Sequence, residues 1–375
     1  MKTVGIIGAG LSGATAARTL ADNGFGVEVF EQQDHVGGNC HTARDAETGV
    51  MLHVHGPHIF HTSRRQVWGF VNRFAEMVPH IQRTKAISAN QLYSFPINLH
   101  TLSQLYNRPL TPETARKLID EERRGAYTSA SLDSMEGYLI SKIGPRIYDT
   151  FFHDYTLKQW GRHPRDLPAS VAARIPIRLD HNDNAFNDPY QGVPRHGYTA
   201  MIESMLDHPN IKLRLNEAFD RGTALEGFAH VIYTGAIDEA FGYLYGALPY
   251  RTLEIAHEVL PAVQDFQGCS VINCCDAERK WTRQTEHKHF TPWETTTGTV
   301  VSREFSTEWQ PGMTRYYPVR LAQEEKTLGA YMALAAKHEE HLTFMGRLGK
   351  FEYLNMDQAV EKAILGTREV IGRRL

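Results

Sequence analysis

Two arginines and a group of aromatic residues are of the types that bind a nucleotide diphosphate. Arg174 and Arg283 each stand in a proline-rich or aromatic-rich stretch with little other charge. A guanidinium can donate two parallel hydrogen bonds to a phosphate, and aromatic rings supply stacking faces and phenol donors. The aromatic residues are Tyr155, Trp160, Tyr316, Tyr317 and Tyr353. The combination suits a nucleotide-sugar diphosphate, although a single aromatic residue is more often part of a hydrophobic core.

A glycine motif near residue 10 predicts a dinucleotide site. The apolar run Val4–Ile7 leads into Gly8-x-Gly10-x-x-Gly13, and the small residues that follow predict a helix. The glycines permit a tight turn, a close approach to a pyrophosphate and close packing of helix on sheet, while the helix start attracts an anion. The next predicted strand ends at Glu31, where a carboxylate can bind a ribose hydroxyl. The competing interpretation is a glycine-rich turn in another kind of α/β protein.

The residues after Glu31 favour FAD over NAD. Gln32 begins a short polar linker that ends in Gly37-Gly38-Asn39. This linker resembles the extension of flavoproteins with two dinucleotide-binding domains, and its glycines let the backbone lie against a cofactor. NAD-only dehydrogenases need no such extension, so FAD is the predicted cofactor.

Two later glycines are predicted to reach the same place. Thr234-Gly235 and Gly346-Arg347 each follow a predicted strand. Ligands of doubly wound sheets gather at the carboxyl ends of the strands, so these glycines and the first motif are expected to surround one flavin. Arg347 would there stabilise the negative charge of a reduced flavin or of its pyrophosphate; the competing interpretation is a surface salt bridge.

Other site types are not indicated. The sequence has no Gly-x-Ser-x-Gly elbow, no Walker loop and no convincing pair of acid/base carboxylates. His53, His55, His58 and His61 lie close together, but no cysteine or carboxylate joins them and a Gly-Pro turn divides them. We therefore predict that no metal is bound.

Composition narrows the class of protein further. The 375 residues are 42% hydrophobic and carry a formal net charge of −3, which gives no electrostatic case for nucleic acid or a membrane surface. No run of eighteen apolar residues occurs, and the first residues predict a strand and not a signal peptide. The four cysteines have neither disulfide-framework nor zinc spacing, which predicts a reduced, cytoplasmic protein.

The order of the predicted helices and strands indicates an α/β fold with a discontinuous, Rossmann-like FAD-binding domain. An inserted helical domain and an antiparallel β-sheet domain complete the expected architecture. Residues 66–78 are predicted to be helical, and the alternating pattern over residues 250–305 predicts antiparallel strands. The predicted segments are 1–62, 197–248 and 321–375 (FAD binding), 63–160 (mainly helical), 161–196 (mobile substrate loop and connection) and 249–320 (antiparallel sheet).

Short motifs spread over nearly the whole chain resemble those of the bacterial UDP-galactopyranose mutases, in the order of that family. The most specific are Lys-Gln-Trp-Gly (158–161) and Glu-His-Lys-His-Phe (286–290). The others are Gly-Pro-His-Ile-Phe-His-Thr (56–62), Arg-Ile-Pro-Ile-Arg (174–178), Tyr-Gln-Gly-Val-Pro (190–194), Gly-Tyr-Thr (197–199), Tyr-Thr-Gly (233–235), Thr-Arg (282–283), Tyr-Tyr-Pro (316–318) and Gly-Arg-Leu (346–348).

The resemblance implies an isomerase that interconverts UDP-galactopyranose and UDP-galactofuranose with no net redox change. Reduced FAD would attack the anomeric carbon through N5, expel UDP and form a covalent flavin–sugar adduct in which the ring opens and recloses. The resemblance also implies an external reductant such as NAD(P)H, a homodimer, and a cytoplasmic role in cell-surface polysaccharide synthesis.

The resemblance assigns roles to individual residues. Arg174, Arg283 and His61 are the implied catalytic residues, with Arg174 on a mobile loop. The implied substrate-binding residues are Phe151, Phe152, Tyr155, Thr156, Trp160, Arg174, Gln82, Arg283, Glu304, Tyr317, Tyr353 and Asn355. The implied cofactor-binding residues are Gly8, Gly10, Leu11, Ser12, Gly13, Glu31, Gln32, Gly38, Asn39, His58, Ile59, His61, Gly235, Gly346, Arg347, Tyr353, Leu354 and Met356.

Three departures from the family pattern concern the choice of sugar. Ala185 replaces a loop tyrosine, Gln82 an asparagine and Asn355 an aspartate. A TDP-6-deoxyhexose mutase of the fucopyranose type is therefore a second hypothesis. Two further hypotheses are an FAD amine oxidase or dehydrogenase, whose substrate would bleach the flavin, and a flavin-free relative that binds prenylated GTPases.

Overall fold

The computed structural model describes residues 2–126, 130–172, 176–218, 227–319 and 324–375. Its strands are β1 (Thr3–Ile7), β2 (Gly26–Phe30), β3 (Thr42–Arg44), β4 (Met51–His53), β5 (Phe60–Thr62), β6 (Met77–Pro79), β7 (Thr84–Ser88), β8 (Gln91–Phe95), β9 (Tyr190–Pro194), β10 (Ile211–Arg214), β11 (His230–Tyr233), β12 (Tyr250–Leu260), β13 (Val271–Cys274), β14 (Arg283–Glu286), β15 (Thr299–Glu308), β16 (Tyr317–Pro318) and β17 (Leu342–Phe344). Its helices are α1 (Leu11–Asp22), α2 (Arg65–Val71), α3 (Leu99–Leu105), α4 (Pro112–Gly125), α5 (Met135–Ile143), α6 (Pro145–Tyr148), α7 (Asp154–Trp160), α8 (Gly197–Leu206), α9 (Ile237–Ala240), α10 (Glu325–Lys337), α11 (Gly346–Gly349) and α12 (Met356–Arg374).

A five-stranded parallel sheet forms the Rossmann-like part of the fold, in the order β10-β2-β1-β11-β17. Its central strand β1 is apolar on both faces, as expected for a parallel strand covered on both sides, and Val4 and Ile6 are fully buried. Helix α1 packs between α8 and α12. The predicted Rossmann-like α/β fold of this part of the chain is confirmed.

A seven-stranded mixed sheet has the order β16-β12-β15-β14-β13-β7-β8. Strands β12 and β15 form a long antiparallel ladder, which the alternating pattern predicts. The register also pairs Arg283 of β14 directly with Glu304 of β15. Side chains that lie opposite each other in a sheet project from the same face, so these two charged groups are neighbours.

A third part of the fold, beside the two sheets, is mainly helical. Helices α3, α5 and the segment from α6 to α7 bury a separate core that includes Leu99, Leu102, Leu139 and Phe151. Thr111 caps α4 and Pro112 occupies its first turn, as the Thr-Pro-Glu signature predicts. A π-helical turn, Asp149–His153, connects α6 to α7.

The predicted helix over residues 66–78 is wrong in its second half. Helix α2 ends at Val71, and the chain then forms β6, in which Met77 pairs with Pro194 of β9. Pro79 lacks the amide hydrogen that a continuing helix requires. Residues 84–95 form β7 and β8 and belong to the seven-stranded sheet, so the predicted helical insertion also contains strands.

No helix within the described ranges is long and apolar enough to cross a lipid bilayer.

Candidate active site

A partly buried ion pair lies at the centre of the candidate substrate site. Arg283 Nη1 is 3.6 Å from Glu304 Oε2, and the Glu304 side chain is 3% exposed. Glu304 raises the pKa of Arg283, while burial raises the pKa of Glu304 against the opposing effect of Arg283. Arg283 Nε and Glu304 Oε1 are both buried and have no hydrogen-bond partner among the described residues. The pair therefore has unsatisfied hydrogen-bonding capacity, which a ligand can use.

Three tyrosines surround the Arg283 guanidinium. Tyr155 comes from α7, Tyr317 from β16 and Tyr353 from the segment before α12, and all three interact electrostatically with Arg283. The Tyr317 and Tyr353 rings stack with centroids 5.9 Å apart, and Tyr353 is 47% exposed. Burial raises the pKa values of Tyr155 and Tyr317, so both phenols stay protonated donors at neutral pH. The structure thus brings Arg283 and these three tyrosines together, as their residue types suggest in the sequence.

Helix α7 and the π-helical turn before it contain both partly exposed and buried side chains. Tyr155 and Trp160 are partly exposed, whereas Phe151, Phe152 and Thr156 are at most 4% exposed and lie in the core. These last three offer a ligand no accessible surface in this conformation. Phe151 and Phe152 belong to the π-helical turn and pack in the core with Leu139 of α5, and Thr156 Oγ1 lies 3.9 Å from Met135 Sδ of α5.

The glycine motif forms a cradle that a dinucleotide fits. Gly8 has φ +98°, and a Cβ on Gly13 would lie 1.9 Å from the Gly8 carbonyl oxygen. Gly10 bridges to Gly37, and a Cβ on Gly38 would lie 3.3 Å from Gly10 Cα. Leu11 and Ser12 begin α1, whose free amide groups face this cradle. Side chains at these glycines would fill the space that a pyrophosphate needs, so the residues present fit FAD.

Glu31 has two hydrogen-bond partners that its sequence position does not reveal. Its two carboxylate oxygens accept hydrogen bonds from the amide groups of Ala9 at 2.8 Å and Gln33 at 3.0 Å. Each oxygen retains a lone pair for a ribose hydroxyl. Gln32 is exposed, and Asn39 Nδ2 donates to the Arg315 carbonyl at 2.9 Å.

The three glycine-bearing strand ends meet, as the sequence predicts. Thr234 Oγ1 donates to the Ile7 carbonyl at 2.8 Å, and the Met345 amide donates to Tyr233 at 2.9 Å. Gly346 has φ +78° and lies against Ser12. Gly235 and Gly346 therefore lie beside the Gly8–Gly13 cradle at the carboxyl end of the parallel sheet.

Arg347 and His58 lie between the cradle and the tyrosines. The Arg347 guanidinium carbon is 5.9 Å from the centre of the Tyr317 ring, and no described residue forms an ion pair with it. Burial lowers the pKa of His58 to about 4, with a smaller effect from Arg347. His58 Nδ1 donates to the Gly56 carbonyl at 2.8 Å, so Nε2 is left as an acceptor. Ile59, next in sequence, is 8% exposed.

His61 has a partner that the sequence reasoning missed. Its Nδ1 lies 2.7 Å from Asp188 Oδ2, and its ring stacks on Phe186 with centroids 3.7 Å apart. Gln191, opposite His61 in the sheet, holds this loop by donating to the Asp188 carbonyl at 2.7 Å. The only signal in the sequence is the Asn-Asp pair that precedes the Tyr-Gln-Gly-Val-Pro motif.

Several predicted residues lie elsewhere or are already bonded. Gln82 is 3% exposed, and its Oε1 accepts from Ser270 Oγ at 3.1 Å. Asn355 is exposed at the start of α12, where its amide donates to Gln358 Oε1 at 3.0 Å. Leu354 is half-buried, and Met356 contacts Cys40 beside the cradle. Arg174 lies outside the described residues.

Comparison with known proteins identifies the family. A family model described as UDP-galactopyranose mutase matches residues 150–353, and a model of an NAD(P)-binding Rossmann-like domain matches residues 6–74. The chain is 43% identical to a protein named probable UDP-galactopyranose mutase from Klebsiella pneumoniae, over 97% of this chain and 93% of the relative. It is 42% identical to dTDP-fucopyranose mutase from Escherichia coli, over 97% of both proteins.

A solved structure supports the same fold. The crystal structure of a reduced UDP-galactopyranose mutase superposes with a TM-score of 0.75 at 14% identity, over 99% of this chain and 94% of that one. The chain therefore belongs to the UDP-galactopyranose mutase family of FAD-dependent isomerases.

Proposed function

We propose that the protein interconverts UDP-galactopyranose and UDP-galactofuranose without net redox change. The observation that carries this proposal is the Arg283 guanidinium, which has an unsatisfied Nε and is surrounded by three phenols. A cation with planar donors and neighbouring hydroxyl donors matches the oxygens of a diphosphate. An amine oxidase has no use for such a group, because its substrate is itself a cation.

FAD, when bound and reduced, supplies the nucleophile for the anomeric carbon. The chain's own residues would hold the cofactor: the amide groups at the start of α1 would bind its pyrophosphate, and Glu31 would bind its ribose. Arg347 supplies a cation between the cradle and Tyr317. A flavin nucleophile means that the reaction needs no Ser or Cys nucleophile from the protein.

Binding of the leaving group is the main task of the protein side chains. Arg283, Tyr155, Tyr317 and Tyr353 bind the diphosphate and stabilise the charge that develops on it when the anomeric bond breaks. Tyr155 and Tyr317 act as donors because burial raises the pKa of each phenol and keeps it protonated. Glu304 fixes the guanidinium from the opposite strand. We assign Arg174 the same role because it matches a diphosphate-binding arginine of the family in sequence.

A second candidate is a TDP-6-deoxyhexose mutase of the fucopyranose type. The departures at Gln82, Ala185 and Asn355 favour it, as does the 42% identity to a dTDP-fucopyranose mutase. The two substrates differ at the sugar 6-hydroxyl, in the methyl group of the base and at the 2′-hydroxyl of the nucleoside. The chain is 43% and 42% identical to the two kinds of relative, so turnover of the two donors decides between the candidates.

The deciding experiment is turnover by the chemically reduced protein. Incubation with UDP-galactofuranose should yield the pyranose, and dTDP-fucofuranose is the matched competitor. A higher kcat/KM for the fucose donor would transfer the assignment to the second candidate. Turnover of neither, or bleaching of oxidised flavin by the sugar nucleotide, would refute a mutase.

We further propose that the protein is a cytoplasmic homodimer that supplies furanose donors for cell-surface polysaccharide and is reduced by NAD(P)H. Light scattering tests the dimer. Anaerobic bleaching of the flavin by NADPH or NADH tests the reductant.

A further inference from the structure

One lysine ammonium is surrounded by backbone carbonyls. Lys158 Nζ, in the last turn of α7, lies 2.7, 2.6, 2.8 and 3.2 Å from the carbonyl oxygens of Cys274, Asp276, Arg279 and Trp281, which share its three N–H donors. Cys274 ends β13, and the other three acceptors belong to the connection between β13 and β14. Four converging carbonyl oxygens are a cation site of the kind that coordinates potassium in channels. Here the cation is tethered to the protein.

This connection sets the position of Arg283. Thr282, between the last carbonyl and the arginine, is fixed on both sides: its amide donates to the Glu304 carbonyl at 2.8 Å, and its own carbonyl accepts from Cys274 at 2.9 Å. Arg279 closes the turn by an ion pair with Asp276 at 2.6 Å. A shift of the connection would therefore be transmitted to the first residue of β14, which is Arg283.

The same lysine belongs to the helix that carries Tyr155. The two residues are three positions apart on α7, so the ammonium couples the tyrosine-bearing helix to the arginine-bearing strand. A second attachment lies alongside, where the Gln159 carbonyl accepts from Arg251 Nε at 3.1 Å and from Ser306 Oγ at 2.6 Å. The second attachment holds the end of the helix, whereas Lys158 joins the helix to the end of β13 and to the β13–β14 connection.

We propose that Lys158 is a positioning residue whose tethered cation sets the distance between Tyr155 and Arg283 across the diphosphate subsite. The expected effect on the KM for the nucleotide sugar rests on the proposed function. A second, structural claim is independent of turnover, namely that the carbonyl ring binds a free monovalent cation of similar size when the lysine is removed. Ammonium and potassium have the size and charge to occupy that ring.

The test is Lys158→Ala with chemical rescue. In sodium buffer, the KM for the nucleotide sugar should rise about tenfold to a hundredfold while kcat changes less than about threefold, because displacement of the binding groups weakens attachment of the substrate. The flavin should remain bound. Ammonium or potassium chloride should lower KM and raise the melting temperature in a saturable manner, and choline chloride at equal ionic strength should do neither. Lys280→Met, in the same connection but exposed, is the matched control and should resemble the wild type.

Each outcome decides one claim. A wild-type KM in Lys158→Ala overturns the positioning role, and equal effects of ammonium and choline overturn the cation site. Melting is measured without substrate, so rescue of melting stands even if the wild type turns over neither sugar nucleotide, in which case the proposed function alone fails. If Lys158→Ala is not recovered folded, Lys158→Arg serves instead. Its planar fork cannot donate to four converging carbonyls, and a wild-type KM in that variant would refute the proposal.

Discussion

We predict that Arg283→Ala removes nearly all turnover and leaves FAD bound. The guanidinium lies among three phenols of the candidate diphosphate subsite, while the glycine cradle is built by other strands. A charge-assisted hydrogen bond contributes about 1.5–3 kcal/mol, so losing two of them costs about 3–6 kcal/mol. At about 1.4 kcal/mol per factor of ten, kcat/KM should fall by about 10² to 10⁴.

The assay compares kcat/KM of the reduced protein with matched variants. Arg283→Lys keeps the charge but loses the planar fork, so it should retain more activity than Arg283→Ala. Arg303→Ala is the control: Arg303 precedes Glu304 on β15, points to the other face of the sheet and pairs with Glu258 at 2.7 Å. Its kcat/KM should stay within about twofold of the wild type.

A double variant separates binding from stability. Arg283 lowers the pKa of Glu304 against the effect of burial. Without Arg283, the Glu304 carboxylate remains buried and loses its partner. Arg283→Ala/Glu304→Gln should therefore regain part of the lost melting temperature but no turnover. Near-normal turnover in Arg283→Ala, or loss of flavin from it, would refute the reasoning.

Three further predictions concern the cofactor cradle, pH and the departure at residue 185. Gly13→Ala places a Cβ 1.9 Å from the Gly8 carbonyl oxygen and should abolish flavin absorbance in the purified protein, whereas Gly329→Ala, in open space on α10, should retain it. Burial lowers the pKa of His287 to about 3, whereas the ordinary value of 6.5 applies in the unfolded chain. The contribution of His287 to the free energy of unfolding is therefore complete above pH 6.5 and is lost as the pH falls towards 3. Between pH 7.5 and 5 this one residue should lower the free energy of unfolding by about 2 kcal/mol, and His287→Gln should flatten that dependence in urea titrations. Ala185→Tyr should lower the Kd for UDP by about twofold to tenfold through a new phenol donor, and equal affinities for Ala185→Tyr and Ala185→Phe would contradict this.

The parts of the site that depend on local geometry were predictable. The spacing of Gly8, Gly10 and Gly13 fixes a turn, an anion site and a packing contact within six residues, so it can be interpreted without tertiary information. Thr111-Pro112 predicts a helix start for the same reason. The aromatic and arginine residues were recognised by type, and the sheet register then brought Arg283 to Glu304.

The parts that depend on distant pairing were not predictable from the sequence alone. Strand β6 was interpreted as helix because its partner β9 lies more than a hundred residues later in the chain. The ligands of Lys158 are backbone carbonyls, which every residue type carries, so no side-chain motif marks them. Phe151 and Tyr155 are four residues apart and so lie on the same side of a helical segment, yet one is buried and the other partly exposed, which the neighbouring elements alone decide.

The order of strands in the parallel sheet has a consequence for how the protein is made. Val4 of β1 pairs with His230 of β11, and Val231 pairs with Leu342 of β17. The cradle is complete only when Gly346 reaches Ser12, so almost the whole chain must leave the ribosome before the dinucleotide has its full site. Pairings this distant in sequence form slowly, and until then the strand edges of β1 and β2 stay open to other chains. Ample FAD during expression should therefore act late in folding, trapping the closed sheet and raising the yield of soluble protein.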